Sequence, residues 1–389
     1  MPPRGAYSEG SRHPPAVPQA TSFDVAHGGR RVSVTSGLLS ARTRSVTDYA
    51  ELSRRIQAEG LLRRRYAYYW CRIVGLVSVF AAIWVAFAFV GNSWFQLVLA
   101  GLLAAVVTQF GFLGHDGAHR QIFASHGWNE WVARILSGAF AGLSYSWWSS
   151  KHNRHHGSPN QEGKDPDIAP GALAFTPSIA AERTGFGAVF AQYQGYLFFP
   201  LLLLEGLNLH VASVISLTKR DPLKKGHGRK VELALVLLRL GGYVAVLMLF
   251  LPFGKAVAFF GVQMGLFGLF LGGSFAPNHK GMPIVPKTAK IDFMRRQVLM
   301  SRNINPGRLT DFAMGGLNYQ IEHHLFPSMP RPNLRRAQPI VRSFCEEQGV
   351  TYTQVPLLTS YGIVVRYLNA VGLRARDPFS CPLVSMYRG

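Results

Sequence analysis

The sequence predicts an all-α membrane protein, with four transmembrane helices paired into two hairpins and a helical cap on the cytosolic side. Three observations carry that reading. The chain of 389 residues is 48% hydrophobic, its apolar residues gather into long runs, and its formal net charge is +21. A basic excess alone suits nucleic acid as well as a membrane, so the spanning runs decide the class.

Residues 1–60 are rich in Pro, Gly, Ser and Arg and never gather the apolar core of a secretory signal. They are expected to form a flexible cytosolic tail, with contact between its arginines and anionic lipid as the alternative. A membrane domain then covers residues 61–345, and a C-terminal cytosolic segment covers 346–389. Ile73–Gly91 carries no charge, and Trp94–Gly114 follows after Asn92 and Ser93 alone. Each run is long enough to cross roughly 30 Å of hydrocarbon as a helix. The short connection returns the chain to its starting side. A second hairpin repeats the pattern with Leu233–Leu251, which holds only Arg239, a turn at Pro252 to Lys255, and the charge-free Ala256–Ala276.

Between the hairpins, Gly195–Leu217 is also apolar but carries Pro200, Glu205, Asn208 and His210. These are costly at mid-bilayer, so the stretch is expected at the interface or under the cap and is not counted as a span. The basic cluster Lys219, Arg220, Lys224, Lys225, Arg229 and Lys230 follows it, as expected of a cytoplasmic loop. Gly127–Trp148, broken by Glu130 and Arg134, is expected at the membrane surface. Both termini, and residues 277–389 as the bulk of the cap, then lie in the cytosol. Cys71, Cys345 and Cys381 are far apart, which suggests neither a disulfide framework nor a thiolate metal site.

The chemistry lies in the histidines. His115 and His119 stand at i and i+4; His152, His155 and His156 stand at i, i+3 and i+4; and Gln320, His323 and His324 repeat that spacing with glutamine leading. On a helix each set shares one face. His279 follows the last span, so eight of the chain's 13 histidines gather on the cytosolic side of the spans. Neutral imidazole is a good ligand for iron, zinc and copper. Eight exceed the three or four protein ligands of a single zinc, so the count implies two metals. The first box lacks the Glu that a zinc protease places after its first histidine, and two redox-active irons fit better. Gln320 either ligates iron or hydrogen-bonds a neighbouring group. His13, His27, His126, His210 and His227 have no partner at ligand spacing.

These boxes, HDGAH, HNRHH and QIEHH around paired hairpins, resemble the membrane-bound fatty acid desaturase family over about Ile73–Leu325. Ser158-Pro159-Asn160 to Asp165-Pro166-Asp167-Ile168 and Phe275-Ala276-Pro277-Asn278-His279 look like that family's connecting segments. The leading glutamine resembles the subgroup with front-end, linoleoyl-type and some bacterial acyl-CoA desaturases. The resemblance implies a diiron centre that takes two electrons, uses O2 as co-substrate and leaves a cis double bond in a fatty acyl chain carried on CoA or a lipid. No His-Pro-Gly-Gly of a fused cytochrome b5 is present, so electrons are expected from a separate ferredoxin, flavin reductase or cytochrome b5-like protein.

Tyr145, Trp147 and Trp148 are candidates for lining the acyl tunnel or for interfacial anchoring, and Asp165 and Asp167 for orienting ligating histidines or shaping a turn. Arg295, Arg296, Arg302, Arg331, Arg335 and Arg336 are expected on a docking face for an acidic donor, acyl-CoA phosphates or lipid headgroups. A lipid hydroxylase on the same scaffold and a non-catalytic metal transporter are the rival functions; a transporter would place its histidines at mid-membrane.

Overall fold

The computed structural model describes residues 47–219 and 227–373. The expectations placed on residues 1–46, on Arg220, Lys224 and Lys225, and on Cys381 lie outside the described residues. Helix α1 (residues 47–58) opens the described chain. Its Leu52 and Ile56 are fully buried in a cluster with Val298, Leu325, Leu334 and Phe344. This part of the expected tail is therefore packed, because an i, i+4 apolar pair gives a helix a face to bury.

The first hairpin is α2 (Tyr66–Val90) and α3 (Gln96–Ala118). Gly91, at φ 58°, ends α2 where a side chain would strain the backbone. The Gln96 amide donates to Phe87 O at 2.8 Å and to Gly91 O at 2.9 Å, which satisfies carbonyls at the end of α2 within the turn. The second hairpin is α8 (His227–Phe250) and α9 (Phe253–His279). Lys255 Nζ donates to Asn92 O at 3.0 Å and Asn92 Oδ1 at 2.7 Å, and Phe87 packs edge-on against Phe250 and Phe259. The two turns therefore lie side by side, and α3 and α9 both run from them toward the opposite end. Both helices continue past their apolar runs to His115 and His279, since a helix ends where its carbonyls find other donors and not at its first polar residue.

Among the described residues, five helices are long and apolar enough to cross a membrane, and the fifth is α7 (Gly185–Thr218), which contains the uncounted Gly195–Leu217 stretch. Its polar residues find partners within the protein. Asn208 Nδ2 donates to Glu205 Oε2 at 3.1 Å, and His210 Nε2 lies 3.0 Å from Ala141 O. Gly206 and Gly268 let α7 and α9 touch backbone to backbone: a Cβ at either would come within 2.4 Å of the facing chain.

Gly127–Trp148 forms α4 (His126–Arg134), a π-helical turn (Ile135–Ala141) and the start of α5 (Tyr145–Gly157). The π turn rests on α3 and α8, with Gly114 against Ser137 and Gly138 against Leu235. Its Phe140 carbonyl accepts from Arg239 Nε at 2.9 Å, which gives the one charge within Leu233–Leu251 a partner. After α6 (Pro177–Ala181) and the three long helices α7, α8 and α9 come α10 (Phe293–Leu299), α11 (Arg308–Ala313), α12 (Gln320–Leu325), α13 (Arg331–Glu347) and α14 (Leu357–Gly372). A short parallel pair, β1 (Asn303–Ile304) with β2 (Gln354–Val355), ties the approach to α12 to the chain beyond α13. Residues beyond 346 thus pack into the body: α14 lies along α7 and α9 with Val364, Leu368 and Val371 buried.

Candidate metal centre

Each histidine cluster sits at the end of a short rigid path. His115 and His119 close α3, His152, His155 and His156 fill the last two turns of α5, His279 ends α9, and Gln320, His323 and His324 lie on α12. Ser144 caps α5 by accepting from Trp147 N at 3.1 Å. Asn303 Oδ1 accepts from Ile321 N at 2.9 Å, and Asn303 Nδ2 donates to Glu322 Oε2 at 2.7 Å, which pins α12. Glu322 also accepts from Tyr352 Oη at 2.8 Å, and burial pushes its carboxyl up to about 7 against those hydrogen bonds.

The nine predicted residues converge. One nitrogen each from His115, His119, His152 and His323 lie within 4.8 Å of one another, and His155, His279 and His324 form a second such group. His156 stands between the groups, its ring stacked on His324 at 4.1 Å and its Nε2 3.0 Å from His152 Nε2. Gln320 Nε2 is 2.9 Å from His279 Nε2, and Gln320 Oε1 accepts from Asn278 Nδ2 at 3.2 Å.

The donor set fits metal ions. His155 donates its Nδ1 proton to Asp165 at 3.0 Å, and His279 Nδ1 donates to Met300 O at 3.0 Å. That leaves their two Nε2 lone pairs facing each other at 3.2 Å, which is repulsive unless a cation or a proton lies between them. His324 Nδ1 donates to Gln297 Oε1 at 2.9 Å, and its Nε2 is buried without a partner, as are Nε2 of His115, His119 and His323. Orphaned buried nitrogens of this kind cost free energy unless something binds them. Burial, reinforced by neighbouring imidazoles, pushes His119, His152, His156, His323 and His324 down, which favours the neutral form that metals bind. His155 goes the other way: burial opposes charge there, but the Asp165 hydrogen bond and the charge on Asp167 raise it.

Asp165 fills both roles weighed for it, accepting from His155 Nδ1 and, within the turn, from Asn160 N and Asp167 N. Asp167 lies 3.5 Å from the same nitrogen and pairs with Lys151 at 2.9 Å. Trp148 stacks on the His152 ring at 4.3 Å and meets His115 edge-on, while Tyr145 faces the Arg134 guanidinium. Phe275 lies 6.2 Å from the His115 ring on an apolar flank of the four-histidine group. Sequence reasoning missed Gln297, which holds His324 and also donates to His156 O at 3.0 Å; beside Arg295 and Arg296 in α10 nothing in the sequence marked it.

The expected arginine docking face needs correction. Arg302 is 1% exposed and Arg331 is 6% exposed. Arg302 is held by backbone carbonyls, and Arg331 Nη2 pairs with Asp116 Oδ2 of the first box at 2.7 Å. Arg295 pairs with Asp48 and Arg296 donates to Gly157 O, while Arg335 and Arg336 are exposed. A guanidinium has five donors, and inside a fold with many helix ends it serves as a cap as readily as a surface charge.

The family model for fatty acid desaturases matches residues 92–356. The chain belongs to the fatty acid desaturase family. Among relatives, this family member is 30% identical to an acyl-lipid (9-3)-desaturase of Physcomitrium patens, over 85% of this chain and 63% of that protein. It is 28% identical to a fatty acid desaturase 2-like protein of Mus musculus, over 83% of this chain and 66% of the relative. It is 27% identical to a Delta(6)-fatty-acid desaturase of Caenorhabditis elegans, over 87% and 78%. The chain thus spans slightly less than two thirds of the length of the first two.

Proposed function

We propose that this desaturase-family chain is an O2-dependent diiron enzyme that introduces a cis double bond into a fatty acyl chain carried on CoA or a lipid. The observation that carries the reading is the pair of buried imidazole groups with orphaned or mutually facing nitrogens. His115, His119, His152 and His323 would hold one iron and His155, His279 and His324 the other, with His156 between them and Gln320 beside His279. When bound, the iron pair supplies redox chemistry: O2, two electrons and two protons are consumed, two hydrogens leave adjacent methylenes, and two waters form.

The protein's own part is placement. Asp165, Met300 and Gln297 fix the tautomers of His155, His279 and His324 and aim the remaining nitrogens inward. Trp148 and Phe275 offer an apolar wall beside His115 and His152 against which a hydrocarbon chain can lie while water is kept out. The electrons come from a separate redox protein.

Four spans, α2, α3, α8 and α9, carry the site on one membrane face. Support comes from α7: Phe199 packs on Tyr361 beside Gly273, and Ser213 Oγ accepts from Ser144 N at the start of α5. Both contacts lie toward the histidine end, so α7 enters and leaves on that side. The basic residues Lys219, Arg229 and Lys230 support a cytosolic reading of that side.

The test is expression in a host of simple fatty acid content, with mass spectrometry of methyl esters and iron analysis of the purified chain. A product two mass units lighter and about two irons per chain are expected. A gain of sixteen mass units would replace desaturation with hydroxylation, and protein without iron would end the metal reading.

A further inference from the structure

His279 sits two residues after a proline inside a helix, a position that ought to be loose. Pro277 has no N–H, so Gly273 O, four residues back in α9, loses its helical donor. Tyr361 Oη donates to that carbonyl at 2.9 Å. Glycine makes room for it, since a Cβ at 273 would lie 3.3 Å from the hydroxyl. One turn on, Pro277 O accepts from Ser360 Oγ at 2.8 Å and from the Arg302 guanidinium. Arg302 Nη2 also donates to Lys280 O at 2.9 Å, and Arg302 N donates to Asn278 O at 2.8 Å. The fully buried Arg302 therefore places its charge at the negative end of the α9 dipole.

Ser360 and Tyr361 are neighbours in the first turn of α14, which is itself seated on α7. Gln194 Nε2 donates to Leu368 O at 2.9 Å, and Gly195 N donates to Asn369 Oδ1 at 2.8 Å. A strap thus runs from α7 through α14 to the broken end of α9. On the far side of that end, His279 Nδ1 meets Met300 O, two residues before Arg302.

We infer that α14, through the hydroxyls of Ser360 and Tyr361 and together with Arg302, sets the position of His279, and so acts as a positioning element for the three-histidine iron site. The inference rests on the iron reading above. It assigns a role to a helix beyond residues 92–356, the part of the chain that the family model matches. Without the two hydroxyls, Gly273 O loses the donor that replaces the missing proline N–H and Pro277 O keeps the Arg302 guanidinium, the last turn of α9 is free to unwind at the proline, and the Nε2 of His279 drifts from those of His155 and His324.

The test uses the full chain purified in detergent. Ser360→Ala with Tyr361→Phe removes both hydroxyls, and Tyr367→Phe is the control, because it removes a hydroxyl farther along α14 that donates to Phe175 O. Wild type and the control are expected to keep about two irons per chain against a chelator, and the double variant about one, with affinity for the second weakened about 10–100-fold. The Mössbauer spectrum of the double variant should lose one of its iron components, while the thermal midpoint moves by no more than about 5 °C. Should the double variant not be recovered folded, Tyr361→Phe alone is read in the same way. Two irons retained in the variant, or equal loss in Tyr367→Phe, would overturn the positioning role and leave the iron reading standing. Wild type without two irons would overturn both.

Discussion

At the scale of single residues, the candidate centre depends on which nitrogen of each ring is tied down. His155 is the clearest case, because Asp165 accepts its Nδ1 proton, and two backbone amides, Asn160 N at 2.7 Å and Asp167 N at 2.9 Å, hold that carboxylate in place. Burial would raise the Asp165 carboxyl, but the facing His155 holds it below the usual carboxylate range. Asp165→Asn keeps the size and removes the charge, so iron should be held about 10–100-fold less tightly. Chelator competition on purified protein measures this, and unchanged retention would refute the orienting role. The histidines themselves were legible in the sequence, because i, i+3 and i+4 spacing on a helix is local. Gln297, Met300 and the carbonyl partners of Arg302 were not: each contact joins residues that only the tertiary fold brings together. Arg331 was misread for the same reason, since its Asp116 partner lies on the other side of the whole membrane domain in sequence.

At the scale of elements, α5 is aimed from α8. Glu232 is fully buried, and its Oε1 accepts from Ser144 Oγ at 2.5 Å, Ser146 N at 2.9 Å and Ser146 Oγ at 3.1 Å. It therefore puts a carboxylate at the positive end of the helix that carries His152, His155 and His156. Glu232→Ala should cost about 1–3 kcal/mol, since buried donors lose their acceptor, and Glu232→Gln should cost less because its amide oxygen still accepts. Thermal unfolding in detergent reads both variants. Equal losses would assign the effect to charge, and no loss in either would remove the anchor. Hairpin elements were legible because an apolar run between short turns admits few alternatives. The long α7 was not, because its apolar bulk argues for a span and its polar residues argue against one. Only tertiary contacts show how its polar groups are met: His210 reaches the π turn inside the protein, while Asn208 and Glu205 pair with each other on an exposed face.

At the scale of the whole molecule, the placement of α7 decides which side of the membrane each hairpin turn faces. If α7 returns to the side it left, the turns at Asn92 and Lys255 face the same way, and their hydrogen bond is possible. If α7 crossed, the second hairpin would be inverted and His279 would leave the other histidines. The apolar runs alone allow both arrangements; the position of His279 distinguishes them, because a metal site requires its ligands on one face. In a chain freed of its native cysteines, Ser93→Cys and Gly254→Cys should react with a membrane-impermeant maleimide from one side, and Lys287→Cys from the other. Gly254 has open space around it, so the added side chain fits. Labelling of Ser93→Cys and Gly254→Cys from opposite sides would mean that α7 spans the bilayer, and the imidazoles could not then share a pair of irons.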